Sequence, residues 1–106
     1  MTGRRHRLPR RVRIGFRHVP IEISHFADRA EYGCYHVHDD RIEINAGLKA
    51  SMQSLVVVHE CLHAMFATAM PAVDDETEET IIRALTPLIL AWIRDNPRLM
   101  ALLATR

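Results

Sequence analysis

The 106-residue chain predicts a small α+β domain, with a mainly antiparallel sheet of three or four strands packed on one central helix and backed by C-terminal helices. Three observations carry that prediction. Before Gly47, apolar and polar residues alternate in short runs, the period of half-buried strands. From Leu48 to Met70 a largely apolar stretch runs without proline or glycine, and from Asp75 onward helix start signals recur. A chain of this length supports one modest core, so a single domain is expected.

Composition places the chain in an ordinary class. Apolar residues make up 48% and charged residues 25%, which excludes a disordered or fibrous protein. The net charge of +1 hides an uneven layout, because Arg4, Arg5, Arg7, Arg10, Arg11, Arg13 and Arg17 crowd the start. The acids gather later, at Asp74, Asp75, Glu76, Glu78 and Glu79. Residues 1–10 hold Gly3, Pro9 and no apolar period, so they read as a flexible basic arm ahead of a folded domain over 11–106. No apolar run is long enough to span a bilayer, and strand-like residues stand where a secretory apolar region would be, so a soluble intracellular protein without a membrane partner is expected. Two cysteines, Cys34 and Cys61, are too few for a disulfide scaffold and read as reduced thiols.

Taken in order, Val12, Ile14 and Phe16 alternate with Arg13, Gly15 and Arg17, and after Pro20 Ile21, Ile23 and His25 alternate with Glu22 and Ser24. These predict two short strands. The run Tyr32 to His38, the turn signal Asp39-Asp40 and the run Arg41 to Asn45 predict a β-hairpin of aromatic and β-branched residues. The Leu48 to Met70 stretch predicts one helix of about five turns or more, stopped by Pro71. Its second half is apolar nearly all round, as a central buried helix must be. A further helix is expected from Asp75 to Leu85 with Ile81, Ile82 and Leu85 on its inner stripe. Thr86-Pro87 either starts a new helix or kinks this one, and Asp95-Asn96-Pro97 starts a short terminal helix.

The chemistry lies in His59-Glu60-Cys61-Leu62-His63. Two histidines four residues apart project from one helix face and can reach one metal ion, while Glu60 can reach water held by that ion. Neutral imidazole suits zinc, which lowers the pKa of bound water from about 15.7 to about 7. Burying two histidines and a glutamate in the most apolar helix costs a few kcal/mol unless they have a partner, and a metal is such a partner. Catalytic zinc keeps three protein ligands, so a third must come from elsewhere. Glu78 opens the inner stripe of the next helix and is the first candidate, with Glu79, about 100° away, as the alternate. Both also suit a first helical turn, where negative charge favours the helix dipole. His36 and His38 alternate onto one face with Cys34, and either orient a substrate, stabilise an oxyanion or face solvent. Tyr32 and Tyr35 read as half-buried strand residues, and Cys61, opposite the two histidines, reads as core.

The segments Leu55 to Ala64, Glu78 to Ile82 and Asp95 to Pro97 resemble small phage-type zincin metallopeptidases related to the ImmA/IrrE group, over the region from Tyr32 to the end. The resemblance implies a minimal zincin-like fold and Zn2+ as cofactor. It implies His59 and His63 as ligands, a glutamate of the Glu78-Glu79 pair as third ligand, and Glu60 as general base. It also implies an edge strand, Arg41 to Asn45, beside the cleft, whose Ile42 and Ile44 meet an extended peptide substrate. The location it implies is cytoplasmic, in the host cytoplasm if the protein is phage-encoded. Larger members carry a helix before the sheet and a substrate-specific domain after it, and neither is read here. Two functions follow as expectations: a zinc peptidase acting on a protein or peptide, or a non-catalytic zinc-containing module whose arginine arm contacts nucleic acid or an acidic protein partner.

Overall fold

The alternation that begins near Arg11 forms two strands, but they divide at Gly15 and not at Pro20. In the computed structural model, which describes residues 8–26 and 31–106, β1 spans Arg11–Ile14 and β2 spans Arg17–Ser24. Gly15 turns the chain at φ +60, a conformation glycine adopts without a Cβ clash, and Phe16, expected in a strand, is 96% exposed at the turn. Pro20 sits inside β2 without cost to the ladder. The Ile21 N–H donates to the Arg10 carbonyl at 2.8 Å, so the nitrogen of Pro20 faces away from β1, and pairing on that other side begins only at Ile21.

The hairpin forms as expected, with β3 over Gly33–His36, β4 over Arg41–Asn45 and Asp40 at φ 49 closing its turn. The sheet order is β1-β2-β4-β3. Both hairpins are antiparallel, but β2 and β4 pair in parallel with Ile21 opposite Ile42, so the four-stranded sheet is mixed. That order moves Arg41–Asn45 off the edge. Ile42 and Ile44 are 0% exposed and join Ile14, Val19, Ile21, Val56 and Ala64 in the core. They are therefore core residues of an inner strand and not the edge residues expected beside a cleft; the edges of the sheet are β1 and β3.

One helix, α1 over Ala50–Ala69, covers this apolar face. Leu8 packs against the same cluster, so packing begins ahead of the boundary expected at residue 10, while the rest of the expected basic arm, residues 1–7, lies outside the described residues. The Arg17 guanidinium links three elements: it donates to the Tyr35 hydroxyl at 3.3 Å, to the Ala64 carbonyl of α1 at 2.8 Å, and to the Asp40 carboxylate.

Helix α2 runs unbroken over Asp75–Asp95, longer than expected, with Asp74 accepting from the Thr77 N–H at 3.1 Å as its cap. Pro87 lies within it. A proline inside a helix costs about 3 kcal/mol by losing one N–H and crowding a carbonyl. Here Pro87 and Arg83 are both exposed, so the freed carbonyl is open to water, while Thr86 faces inward and donates to the Ile82 carbonyl at 2.7 Å. Ile82 is 0% exposed, and α2 makes its main contact with α1. Helix α3 covers Pro97–Ala104 with proline in its first turn, as expected. The fold class is α+β, and among the described residues no helix is long and apolar enough to cross a membrane.

Candidate metal centre

His59, Glu60 and His63 all come from α1, in the half that packs between the sheet and α2. The spacing of four puts the two imidazoles on one face, with ring centroids 5.0 Å apart. They face Glu79 of α2. The Nε2 of His59 lies 3.0 Å from one Glu79 carboxylate oxygen, and the Nε2 of His63 lies 3.0 Å from the other. Ligand atoms from these three residues all lie within 4.8 Å of one another.

Glu78 holds a different place. Its carboxylate meets the Nδ1 of His63 at 2.6 Å, the ring nitrogen other than the one that faces Glu79. A carboxylate accepting from Nδ1 fixes the ring orientation and directs Nε2 toward a metal, the usual partner of a ligating histidine. Of the two glutamates expected as third ligand, Glu79 is the one whose carboxylate meets both Nε2 atoms, while Glu78 meets only Nδ1 of His63. The buried residues of α2 are Ile82 and Thr86, and Glu78 and Glu79, four and three residues before Ile82, both continue that face toward α1, whereas Leu85, expected inside, is 39% exposed.

Glu60 lies under β3, 6% exposed, against Gly33 and near the Tyr35 backbone. Burial pushes its pKa up to about 7; the nearby Glu79 adds to that rise and His63 opposes it. Burial likewise pushes His59 down, which favours the neutral imidazole that binds metals. Room for this packing comes from Gly33 on β3. A Cβ there would lie 2.6 Å from Cγ1 of Val56 and 3.3 Å from Cγ of Glu60, so only glycine lets the strand approach α1 this closely.

A cleft of about 660 Å³ opens over these groups, lined by His59, Glu60, His63, Glu78, Glu79 and Arg83 among others. Two imidazoles and one carboxylate match the donor set and count of a catalytic zinc site, with a fourth place left for water. No family model matches this chain, and neither a curated protein nor a solved structure matches it. What the site can do therefore follows from its own donors.

Among the described residues, the other histidines do not join it. On the outer face of the sheet, His36 pairs with Glu43 at 2.8 Å, and the same carboxylate accepts from Ser24, which together hold Glu43 below the usual carboxylate range. His38 is exposed in the hairpin turn. Cys61 packs against the core as expected, its thiol pushed up to about 11 by burial, and Cys34 lines the cleft; both are free. Sequence reasoning missed Arg83, whose Nε donates to Glu79 at 3.2 Å. Its spacing of four from Glu79 is a signal the sequence carries.

Proposed function

We propose that the protein is a zinc-dependent metallopeptidase, with His59, His63 and Glu79 holding the metal and Glu60 acting as general base. The observation that supports this most is the convergence of two Nε2 atoms on one carboxylate, each at 3.0 Å, beside a buried glutamate. The packing of α1 on one face of a small sheet supports reading the domain as a minimal zincin-like one, the fold that the resemblance implies. When bound, zinc supplies a Lewis acid that brings the ionisation of water near neutrality and polarises a carbonyl.

The chain's own groups do the rest. Glu60 takes a proton from the attacking water and later gives it to the leaving amine, roles that need a carboxylate with a pKa near the working pH. Its value of about 7 in the metal-free protein fits that requirement. Glu78 keeps Nε2 of His63 turned toward the centre, and Arg83 holds the Glu79 carboxylate from the other side. The free edge of β3, at the rim of the cleft, offers backbone groups to an extended peptide. Free thiols at Cys34 and Cys61 suit a reducing, cytoplasmic setting.

Elemental analysis tests this directly. One zinc per chain is expected in the wild type and none in a His59→Ala, His63→Ala double variant. Glu60→Gln should keep the zinc and lose roughly 10²- to 10⁴-fold in turnover of a peptide library. Zinc without turnover, together with salt-sensitive binding of nucleic acid, would instead support a binding module; no zinc in either protein would end the proposal.

A further inference from the structure

A second cavity adjoins the metal centre, and the two are lobes of one cleft: Gly33, His59, Glu60, Glu79 and Arg83 line both. The larger lobe adds two further acids, Asp75 and Glu78. The smaller, about 450 Å³, runs toward the N-terminal part of α1, and beyond the shared rim its walls are Tyr32, Met52, Leu55, Val56 and Pro87, with Thr86. The Thr86 hydroxyl already donates to the Ile82 carbonyl at 2.7 Å, and Tyr32 is 50% exposed and keeps its hydroxyl within reach of water. The inner walls thus present carbon and no uncommitted polar group. A charged side chain seated against those inner walls would find partners only at the shared rim, at Glu60, Glu79 and Arg83, whereas an aliphatic or aromatic one would replace water against the walls themselves.

We propose that this lobe is the side-chain specificity pocket of the enzyme, which selects a large aliphatic or aromatic residue beside the scissile bond. The inference rests on the zinc peptidase reading. Its geometry is independent of that reading's catalytic step: a ligand anchored at the His59, His63 and Glu79 centre can extend past Glu60 into a largely apolar space, between α1 and the Thr86-Pro87 turn of α2. Met52 lies at the far wall, away from the metal ligands and half-buried, and is the position from which the lobe can be filled or charged.

The test is binding and needs no turnover. Acetohydroxamate, butyrohydroxamate, hexanohydroxamate and 3-phenylpropionohydroxamate are titrated calorimetrically into the zinc-loaded full chain, and into its Met52→Trp and Met52→Glu variants. In the wild type, affinity should climb about three- to fourfold per added methylene, as apolar burial requires. In both variants the ratio of long-chain to short-chain affinity should fall toward one. Met52→Glu keeps the test valid if the larger Met52→Trp does not fold. Zinc-dependent binding of acetohydroxamate with no gain along the series would overturn the pocket and leave the zinc centre standing. A gain that both variants retain would place the chain elsewhere and also overturn it. No zinc-dependent binding of any hydroxamate would remove the zinc reading and the pocket with it.

Discussion

Replacing Glu60 by glutamine in the metal-free protein should abolish a large pH dependence of stability. The carboxyl is 6% exposed, and burial moves its pKa from 4.5 to about 7. In the unfolded chain it ionises at the lower value, so between the two values unfolding releases a proton and stability falls as pH rises. At about 1.36 kcal/mol per pH unit, that interval amounts to about 3 kcal/mol, of which about 2.5 kcal/mol develops between about pH 5 and about pH 8. The loss is complete above the folded value and absent below the unfolded one. Urea denaturation of wild type and Glu60→Gln across this range, in the presence of a chelator, reads the difference directly. The His59 imidazole, pushed down by burial, makes stability rise with pH in both proteins and cancels in the comparison. Saturating zinc should flatten the wild-type slope, because a dication beside a carboxylate favours its charged form. A gap between the two proteins that does not change with pH would refute the argument, since a solvated Glu60 would ionise alike in both states.

Three further substitutions separate the roles of neighbouring residues. Glu79→Ala should lower zinc affinity, measured by chelator competition, by more than the roughly 10- to 100-fold expected when Glu78→Ala removes an orienting partner; the opposite order would make Glu78 the ligand. Gly33→Ala places a methyl 2.6 Å from Val56 and should destabilise the fold by roughly 1–3 kcal/mol in urea, with part of the loss recovered in a Gly33→Ala, Val56→Ala double variant. Ile42→Ala, at a position 0% exposed, should cost about 2–5 kcal/mol. A loss well below that range, accompanied by altered peptide binding, would return Ile42 to the cleft.

The parts of this protein legible in its sequence are those that local geometry settles. A spacing of four residues fixes two side chains on one helical face whatever surrounds the helix, so His59 and His63 could be paired without a structure. The Asp39-Asp40 turn, the proline that opens α3 and the apolar girth of α1 depend likewise on a few adjacent residues. Tertiary packing decided what remained. Glu78 and Glu79, about 100° apart on α2, both reach the histidines of α1, and which of them meets both Nε2 atoms is set by how α2 packs against α1, which an amphipathic stripe read from one helix leaves open. Strand order is similarly nonlocal: Ile42 and Ile44 alternate with polar residues as they would on an edge, and only the parallel pairing of β4 with β2 buries them in the centre of the sheet. Pro87 reads as a helix boundary until its exposed setting lets α2 continue through it, and Gly33 reads as an ordinary strand glycine until α1 passes within contact of its missing Cβ. The sequence by itself determined which side chains on α1 share one face, because helical periodicity is a property of the chain alone; the carboxylate that meets both histidines, the edge strand and the apolar lobe were decided by contacts between residues far apart in sequence.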